Sequence, residues 1–466
     1  MRSDGTAAPA LAAALVERLS RELGSDAILT GDDVTTRSCD PFSHVPPSTL
    51  AVLRPRSTAE VAQILKQCHA IRQPIVLHGG CTGVAGGAVT TDGELVLSLE
   101  RMNRIVEVDP VAATMVVEAG VPIEAAQNAA AAHGLFYPID LGSKGTATVG
   151  GTIATNAGGN RVIRWGMTRQ NVLGLEVVLA DGTVLDLMNR FLKNNTGYDL
   201  KQLFIGSEGT LGAVCRAVLR LVPLPSTQNV ALVSLDSFAK VVALLERART
   251  LQQLSAFEVM WQDYYRVVSS DPARRPVDPG AAFYVLIESM GYDEAGDQAA
   301  FSALLERAFG DELLVDAVLA SSQKQVADIW AVREGSEILV RDMWPFISFD
   351  VSVDIRRADE FVKAVRAALA AAFGDYRSVA FGHLGDSNIH IGVHVGPDTR
   401  ARESEIERCV YGVLRDFCGA LTAEHGIGTQ KREFLPEHVP SAVLATMRQV
   451  REALDPRRLI NGNVLF

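Results

Sequence analysis

His78-Gly79-Gly80-Cys81-Thr82-Gly83-Val84-Ala85-Gly86-Gly87 directly follows the apolar run Pro74-Ile75-Val76-Leu77, so a strand is expected to feed straight into a glycine loop. Glycine lacks Cβ and accepts φ > 0, which lets the backbone N–H groups of such a loop close on a pyrophosphate. Taken alone, one glycine cluster after a strand is explained equally well as a tight turn. The loop lacks the Gly-x-Gly-x-x-Gly spacing and no Lys-Ser/Thr pair follows it, which argues against dinucleotide-binding βαβ and P-loop sites. It does not stand alone. Three more glycine-dense loops follow at Pro138-Ile139-Asp140-Leu141-Gly142-Ser143, at Thr148-Val149-Gly150-Gly151-Thr152-Ile153-Ala154-Thr155-Asn156-Ala157-Gly158-Gly159, and at Gly206-Ser207-Glu208-Gly209-Thr210-Leu211-Gly212.

Around these loops, short apolar runs such as Leu95 to Leu99, Ile105 to Val108 and Thr114 to Glu118 crowd between helical segments Thr58 to Ile71 and Pro122 to His133. The mixture is α+β, with more strands than a simple βαβ series supplies. Leu221-Val222-Pro223-Leu224-Pro225 marks a boundary, because proline breaks both element types. Beyond it, strands are expected near Asn229 to Leu235, Ala282 to Glu288, Leu313 to Val318 and Ile347 to Val353. Helices are expected near Ser237 to Gln253, Gly296 to Phe309, Ala327 to Met343, Arg357 to Phe373, Arg400 to Leu421 and Ser441 to Asp455.

A chain of 466 residues exceeds one core, so two or three domains are expected. A net charge of −11 argues against a nucleic-acid partner. No run reaches the length of a membrane span, and Ala7 to Leu23 reads as an amphipathic helix, interrupted by charges, not as a signal peptide. Cys39, Cys68, Cys81, Cys215, Cys409 and Cys418 show no Cys-x-x-Cys spacing and read as reduced thiols of a cytoplasmic protein. Any metal site must then be built from histidine and carboxylate.

Such a set stands at His383-Leu384-Gly385-Asp386-Ser387-Asn388-Ile389-His390, with Glu424-His425 downstream. Folding a hairpin about the middle of Gly385-Asp386-Ser387-Asn388 pairs Leu384 with Ile389 and His383 with His390, whose Cβ atoms would then lie roughly 5 Å apart. Two imidazoles at that separation can grip a divalent metal, with Glu424 as third ligand and one position left open, the catalytic pattern for zinc. A solvated pair on an exposed hairpin is the simpler reading of two histidines alone; the nearby Glu-His tips the balance toward metal.

At the glycine loops, at Val172 to Thr183, at Asn195-Thr196-Gly197-Tyr198-Asp199-Leu200-Lys201, at the histidine hairpin and at Ala423-Glu424-His425-Gly426-Ile427-Gly428, the chain resembles the vanillyl-alcohol-oxidase type of FAD-linked oxidoreductase. It looks closest to the D-2-hydroxyglutarate, D-lactate and glycolate dehydrogenase branch. The resemblance runs from about Thr49 to the C-terminus. It implies an FAD-binding domain over 1–225, a substrate-capping α+β domain with the metal hairpin over 226–420, and a segment 421–466 returning to the flavin. It also implies non-covalent FAD held by Gly79, Gly80, Cys81, Thr82 and Gly83 at the pyrophosphate. Pro138, Leu141, Gly142, Ser143, Gly150, Gly151, Ala154, Asn156 and Gly158 would line the rest, with Gly209, Val214 and Asn461 completing the set. The metal, zinc or else manganese or cobalt, would sit on His383, His390 and Glu424, with His425 as base and Asn388 near flavin and substrate. A plain turn asparagine competes for Asn388.

Oxidising a 2-hydroxy acid moves a hydride from C2 to flavin N5 and a proton from the hydroxyl, and a metal on that hydroxyl lets a neutral histidine serve as base. The carboxylate calls for a bidentate arginine. Trp330-Ala331-Val332-Arg333-Glu334 resembles the family's Trp-x-x-Arg-Glu, which gives Arg333 that role; an i,i+4 ion pair with Glu337 is the plainer alternative. Two departures stand out. Ser348 occupies the place where relatives acting on 2-hydroxyglutarate carry a lysine for the distal carboxylate, and the family's substrate threonine falls on Ser336 or Glu337. Burying an unpaired carboxylate is costly, so a mono-carboxylate with a small, apolar or aromatic tail, D-lactate-like, is expected. Trp261, Tyr264, Tyr265, Trp344, Phe346 and Phe349 offer aromatic surface for it, or belong to the core. The alternatives are D-2-hydroxyglutarate itself and a non-catalytic flavoprotein subunit, against which Arg333, His383 and His425 all speak. An electron acceptor is implied, whether an electron-transfer flavoprotein, a quinone or a cytochrome, and a homodimer is compatible with the sequence.

Overall fold

The computed structural model describes residues 7–41 and 45–466. Backbone contacts divide the chain into two units: Met1–Gly159 with Gly166–Leu224 and Glu424–Phe466, and Asn160–Trp165 with Pro225–Ala423.

In the first unit a four-stranded sheet runs in the order Ile28–Leu29, Val52–Leu53, Leu95–Ser98, Ile75–His78, its last three strands parallel. The helix Thr58–Ile71 buries Val61, Ile64, Leu65 and Cys68, an i, i+3, i+4, i+7 stripe, and begins where the Ser57 side chain accepts the Glu60 N–H. A five-stranded antiparallel sheet follows in the order Ile105–Asp109, Thr114–Glu118, Ala213–Arg220, Val172–Val178, Val184–Leu187. Val149–Thr155 is a short helix packed beside it, and Gly150 is required there because a Cβ would meet the Ala119 Cβ at 2.7 Å. The C-terminus closes this unit: Ile460 bridges to Ile75, and the Asn461 side chain accepts the Leu77 N–H and donates to the Glu208 carbonyl.

The second unit is a seven-stranded, wholly antiparallel sheet. Its order is Asp316–Leu319, Thr227–Leu235, Phe283–Gly291, Leu254–Trp261, Arg377–Gly382, Asn388–His394, Ile347–Ser352. Leu254–Trp261, absent from the sequence expectations, is buried at every position in the middle of the sheet. The helix expected over Ala327 to Met343 is two, Gln323–Arg333 and Ser336–Met343. They part at Gly335, where a Cβ would meet the Val268 Cγ1 at 2.7 Å; the break leaves Arg333 at the end of the first helix. The fully buried Glu288 accepts hydrogen bonds from Arg161, Gln228, Ser255 and Trp330, which pins both 160–165 and the Arg333 helix to the sheet. Of the aromatic residues, Trp261, Tyr264, Tyr265 and Phe349 are core, Phe346 is half-buried and Trp344 is exposed.

The hairpin departs from its expected register. Phe381, not His383, lies opposite His390, and the turn is a 3-10 segment, Leu384–Asp386. His383 sits beyond the strand end with the same parity as Phe381, so it still emerges on the face that carries His390.

Candidate active site

On one face of the second unit's sheet, Phe381, His390 and Asp350 form a row across three strands, with Glu258 and His383 adjoining it. The rings of His383 and His390 are nearly perpendicular, at 83°, with centroids 5.3 Å apart. They offer ring nitrogens within 4.8 Å of one another, a separation one divalent ion can bridge. Neither is solvated on an exposed hairpin: their exposures are 7% and 8%.

Each histidine stands beside a buried carboxylate. Glu258 accepts from His383 Nδ1 at 2.9 Å. A carboxylate only accepts, so Nδ1 carries a proton, and only Nε2, when deprotonated, can serve a metal. Glu258 also takes Arg333 Nε at 2.8 Å and Nη2 at 2.7 Å. Burial pushes its carboxyl up, but the charges and hydrogen bonds of His383 and Arg333 outweigh burial and hold it below the usual range. Arg333 thus pairs with Glu258 instead of Glu337; its guanidinium lies 4.8 Å over the Phe381 ring, and its carbonyl accepts the Tyr264 hydroxyl at 2.6 Å.

Asp350, fully buried, accepts from Asn388 Nδ2 at 2.6 Å, the Thr422 hydroxyl at 3.0 Å and the Ala423 N–H at 3.1 Å. Its oxygen is 3.8 Å from His390 Nδ1, beyond hydrogen-bond range. Asn388 opens a strand and is not a turn residue; with its amide donor held by Asp350, its Oδ1 is buried without a partner. Such an orphan acceptor fits a site built to receive a donor group. Ser348 shares the Asp350 face two positions along the strand, is exposed, and lies opposite Gly392. Ser336 opens its helix and is exposed.

In the first unit, the loop after His78 is braced by the buried imidazole, whose Nε2 donates to the Ala88 carbonyl at 2.8 Å. Gly80 would strike the Thr146 carbonyl at 2.2 Å if it bore a Cβ, whereas Gly83 and Gly142 meet nothing within 4 Å. Some glycines are therefore packing requirements, and others leave backbone open to a large ligand, which fits FAD. Asn156 caps Val149–Thr155 with φ 52°, and Gly151 and Ala154 lie within that helix. Val214 is core, and the side chain of Asn461 is spent on Leu77 and Glu208. Glu424 accepts the Gly159 N–H at 2.7 Å, and Glu208 accepts those of Ile427 and Gly428 at 2.9 and 2.7 Å. These bonds hold the Glu424-His425 loop against the glycine loops of its own unit, with His425 half-buried. Glu208 and Glu258 escaped the sequence reading. Nothing in sequence marks a buried carboxylate whose partners lie 75 to 220 residues away.

The family description "FAD linked oxidases, C-terminal domain" matches residues 224–464, and "FAD binding domain" matches residues 49–188. The chain belongs to the FAD-linked oxidases. It is a flavoprotein oxidoreductase of the hydroxyacid-dehydrogenase branch. Among its relatives is the D-2-hydroxyglutarate dehydrogenase of Xanthomonas citri pv. viticola, 39% identical over 90% of this chain and 90% of that one. The mitochondrial D-2-hydroxyglutarate dehydrogenase of Bos taurus is 37% identical over 95% and 81%, and the D-2-hydroxyglutarate dehydrogenase of Stutzerimonas stutzeri is 32% identical over 97% and 99%. Solved structures of p-cresol methylhydroxylase with substrate bound (TM-score 0.80, 14% identity, 97% of this chain and 96% of that) and of 4-ethylphenol oxidase from Gulosibacter chungangensis (0.76, 17%, 98% and 97%) share the fold. The vanillyl-alcohol-oxidase type of FAD domain in an α+β chain therefore stands. Among the described residues, no helix of this flavoenzyme is long and apolar enough to cross a membrane.

Proposed function

We propose that the enzyme oxidises a D-2-hydroxy acid to the 2-oxo acid, with a divalent metal, zinc or else manganese or cobalt, held by His383, His390 and Glu424. The observation that carries this reading is the Arg333–Glu258–His383 chain beside His390: an anion anchor and a ligand-ready histidine fixed by one carboxylate. Glu424 belongs to the same ligand set because Ala423, the residue before it, is bonded to Asp350, the strand partner of His390. When bound, the metal acidifies the substrate hydroxyl and the flavin takes the hydride at N5. His425 receives the hydroxyl proton, Arg333 orients the carboxylate, and Asn388 turns its unpartnered Oδ1 to a substrate donor. Electrons then pass to a separate acceptor, such as an electron-transfer flavoprotein, a quinone or a cytochrome. With its six cysteines free, the protein fits the cytoplasm.

The substrate tail is read from position 348. Serine there supplies no cation, which favours a mono-carboxylate with a small, apolar or aromatic tail. The names of the relatives favour D-2-hydroxyglutarate as the second reading. An anaerobic flavin-bleaching screen over D-2-hydroxy acids, with and without chelator, tests the proposal. Bleaching by D-isomers that chelation abolishes is expected; a flavin that no 2-hydroxy acid bleaches would overturn it.

A further inference from the structure

We infer that Glu258 is the positioning residue of this site, setting with one buried carboxylate both the metal-binding tautomer of His383 and the edge that Arg333 offers to substrate. The inference rests on the proposed metal and anchor roles and adds a residue to them.

The geometry leaves little freedom. Glu258 is 1% exposed, in the central strand Leu254–Trp261, and among the described residues its carboxylate bonds to His383 and Arg333. The ladder Val259↔Gly382 and Met260↔Phe381 ends one residue short of His383, which brings the start of the 3-10 turn beside Glu258. With Nδ1–H donated to Glu258, His383 can present only Nε2 to an ion.

Arg333 is constrained the same way. Its Nε and one Nη2 hydrogen go to Glu258, which closes the side-on edge of the guanidinium. Nη2 also lies 3.5 Å from His383 Nδ1, so Nη1, at the other edge, is what remains for the substrate carboxylate. Glu258 thereby sets the angle between anchored carboxylate and metal ligand, the geometry a chelated 2-hydroxy acid requires. Outside the site, an arginine, a histidine and a glutamate buried together would be a balanced ion cluster. Here the cluster ends on the face that carries His390 and the unpartnered Oδ1 of Asn388.

The test uses full-length enzyme with its FAD retained. Metal-free protein is titrated with Zn2+ in equilibrium dialysis, and KM and kcat are measured with D-lactate. Glu258→Gln keeps the shape and loses the charge and one acceptor. It is expected to raise the Zn2+ Kd by roughly tenfold to a hundredfold, the usual effect of losing a carboxylate behind a ligating histidine, and to raise KM more than it lowers kcat. Glu258→Asp, which keeps the charge one methylene short, is expected to fall between wild type and Gln in both readouts, and it carries the test if the Gln variant does not fold. A merely structural role would lower Tm while the folded protein kept its Zn2+ Kd and KM; that outcome overturns the inference. If wild type itself binds no Zn2+, Mn2+ or Co2+, the proposed metal fails, and an unchanged KM in Glu258→Gln would then dispose of the anchor role separately.

Discussion

The carboxylate of Asp350 accepts the backbone N–H of Ala423 at 3.1 Å, and the Asp350 carbonyl accepts the same N–H at 3.3 Å. The next residue in the chain is Glu424. Asp350 therefore fixes the point from which the proposed third ligand departs, and it does so from the strand that pairs with His390. Asp350→Ala removes the acceptor for Asn388 and Thr422 and leaves the Ala423 N–H only the position-350 carbonyl, and stranding buried donors costs about 1–3 kcal/mol each. The expected result is a less stable protein, by denaturant unfolding, whose metal content falls while its FAD content is kept. Stoichiometric metal in a folded Asp350→Ala variant would contradict the tether.

His78 supplies a pH dependence with a definite sign. Burial is the main cause that lowers its pKa from 6.5 to about 4, since the charged ring has no water and only the Ala88 carbonyl as partner. The unfolded chain therefore binds a proton between pH 6.5 and about 4 that the folded chain refuses. Stability from this group is fully present above pH 6.5 and is lost as pH falls toward 4, by about 3 kcal/mol over the window. Urea unfolding from pH 7 to 4.5 should show the decline, and His78→Gln should flatten it. Equal slopes for both proteins would show that other groups dominate.

Much of this fold was legible because its signals are local. Thr58–Ile71 carries an apolar stripe between a serine cap and a left-handed Arg72, and sequence and structure agree on its bounds. The glycine loops were legible as loops, but their division into packing positions such as Gly80 and open ones such as Gly83 depends on neighbours distant in the chain. The histidine hairpin was found and misregistered by two residues. The 3-10 turn adds length that turn residues alone do not declare, and equal parity kept His383 on the right face. Leu254–Trp261 was missed because a central strand buried on both faces has no alternation to read; Glu258 was missed with it.

Cys81 lies in the proposed pyrophosphate loop, at φ 51°. Burial pushes its thiol up to about 12, so at neutral pH it is not the thiolate that a covalent flavin link would require. Acid precipitation should release intact FAD into the supernatant, and Cys81→Ser should retain the yellow colour. Flavin that stays with the pellet in wild type and leaves it in Cys81→Ser would reverse this assignment.

The choice of substrate tail turns on Ser348 and on whether another cation replaces the missing lysine. Arg341, near in sequence, does not: its Nε and Nη2 both donate to Asp342, and its side chain is 66% exposed. Ser348 itself faces Gly392 on the Asp350 side of the sheet, so a tail lying along that strand meets a hydroxyl and bare backbone. A buried carboxylate left without its partner loses on the order of 2–5 kcal/mol, which is roughly a thirtyfold to several-thousandfold loss in kcat/KM. D-lactate and aromatic D-2-hydroxy acids should therefore outperform D-2-hydroxyglutarate by a factor in that range. Ser348→Lys should move the preference toward the dicarboxylate, because the new ammonium would stand on the same face as His390, one alternate position beyond Asp350. Arg341→Ala should leave both substrates unchanged. Efficient turnover of D-2-hydroxyglutarate by wild type, lost selectively in Arg341→Ala, would show that the arginine abandons Asp342 for substrate and would return the enzyme to the dicarboxylate group that its relatives' names describe.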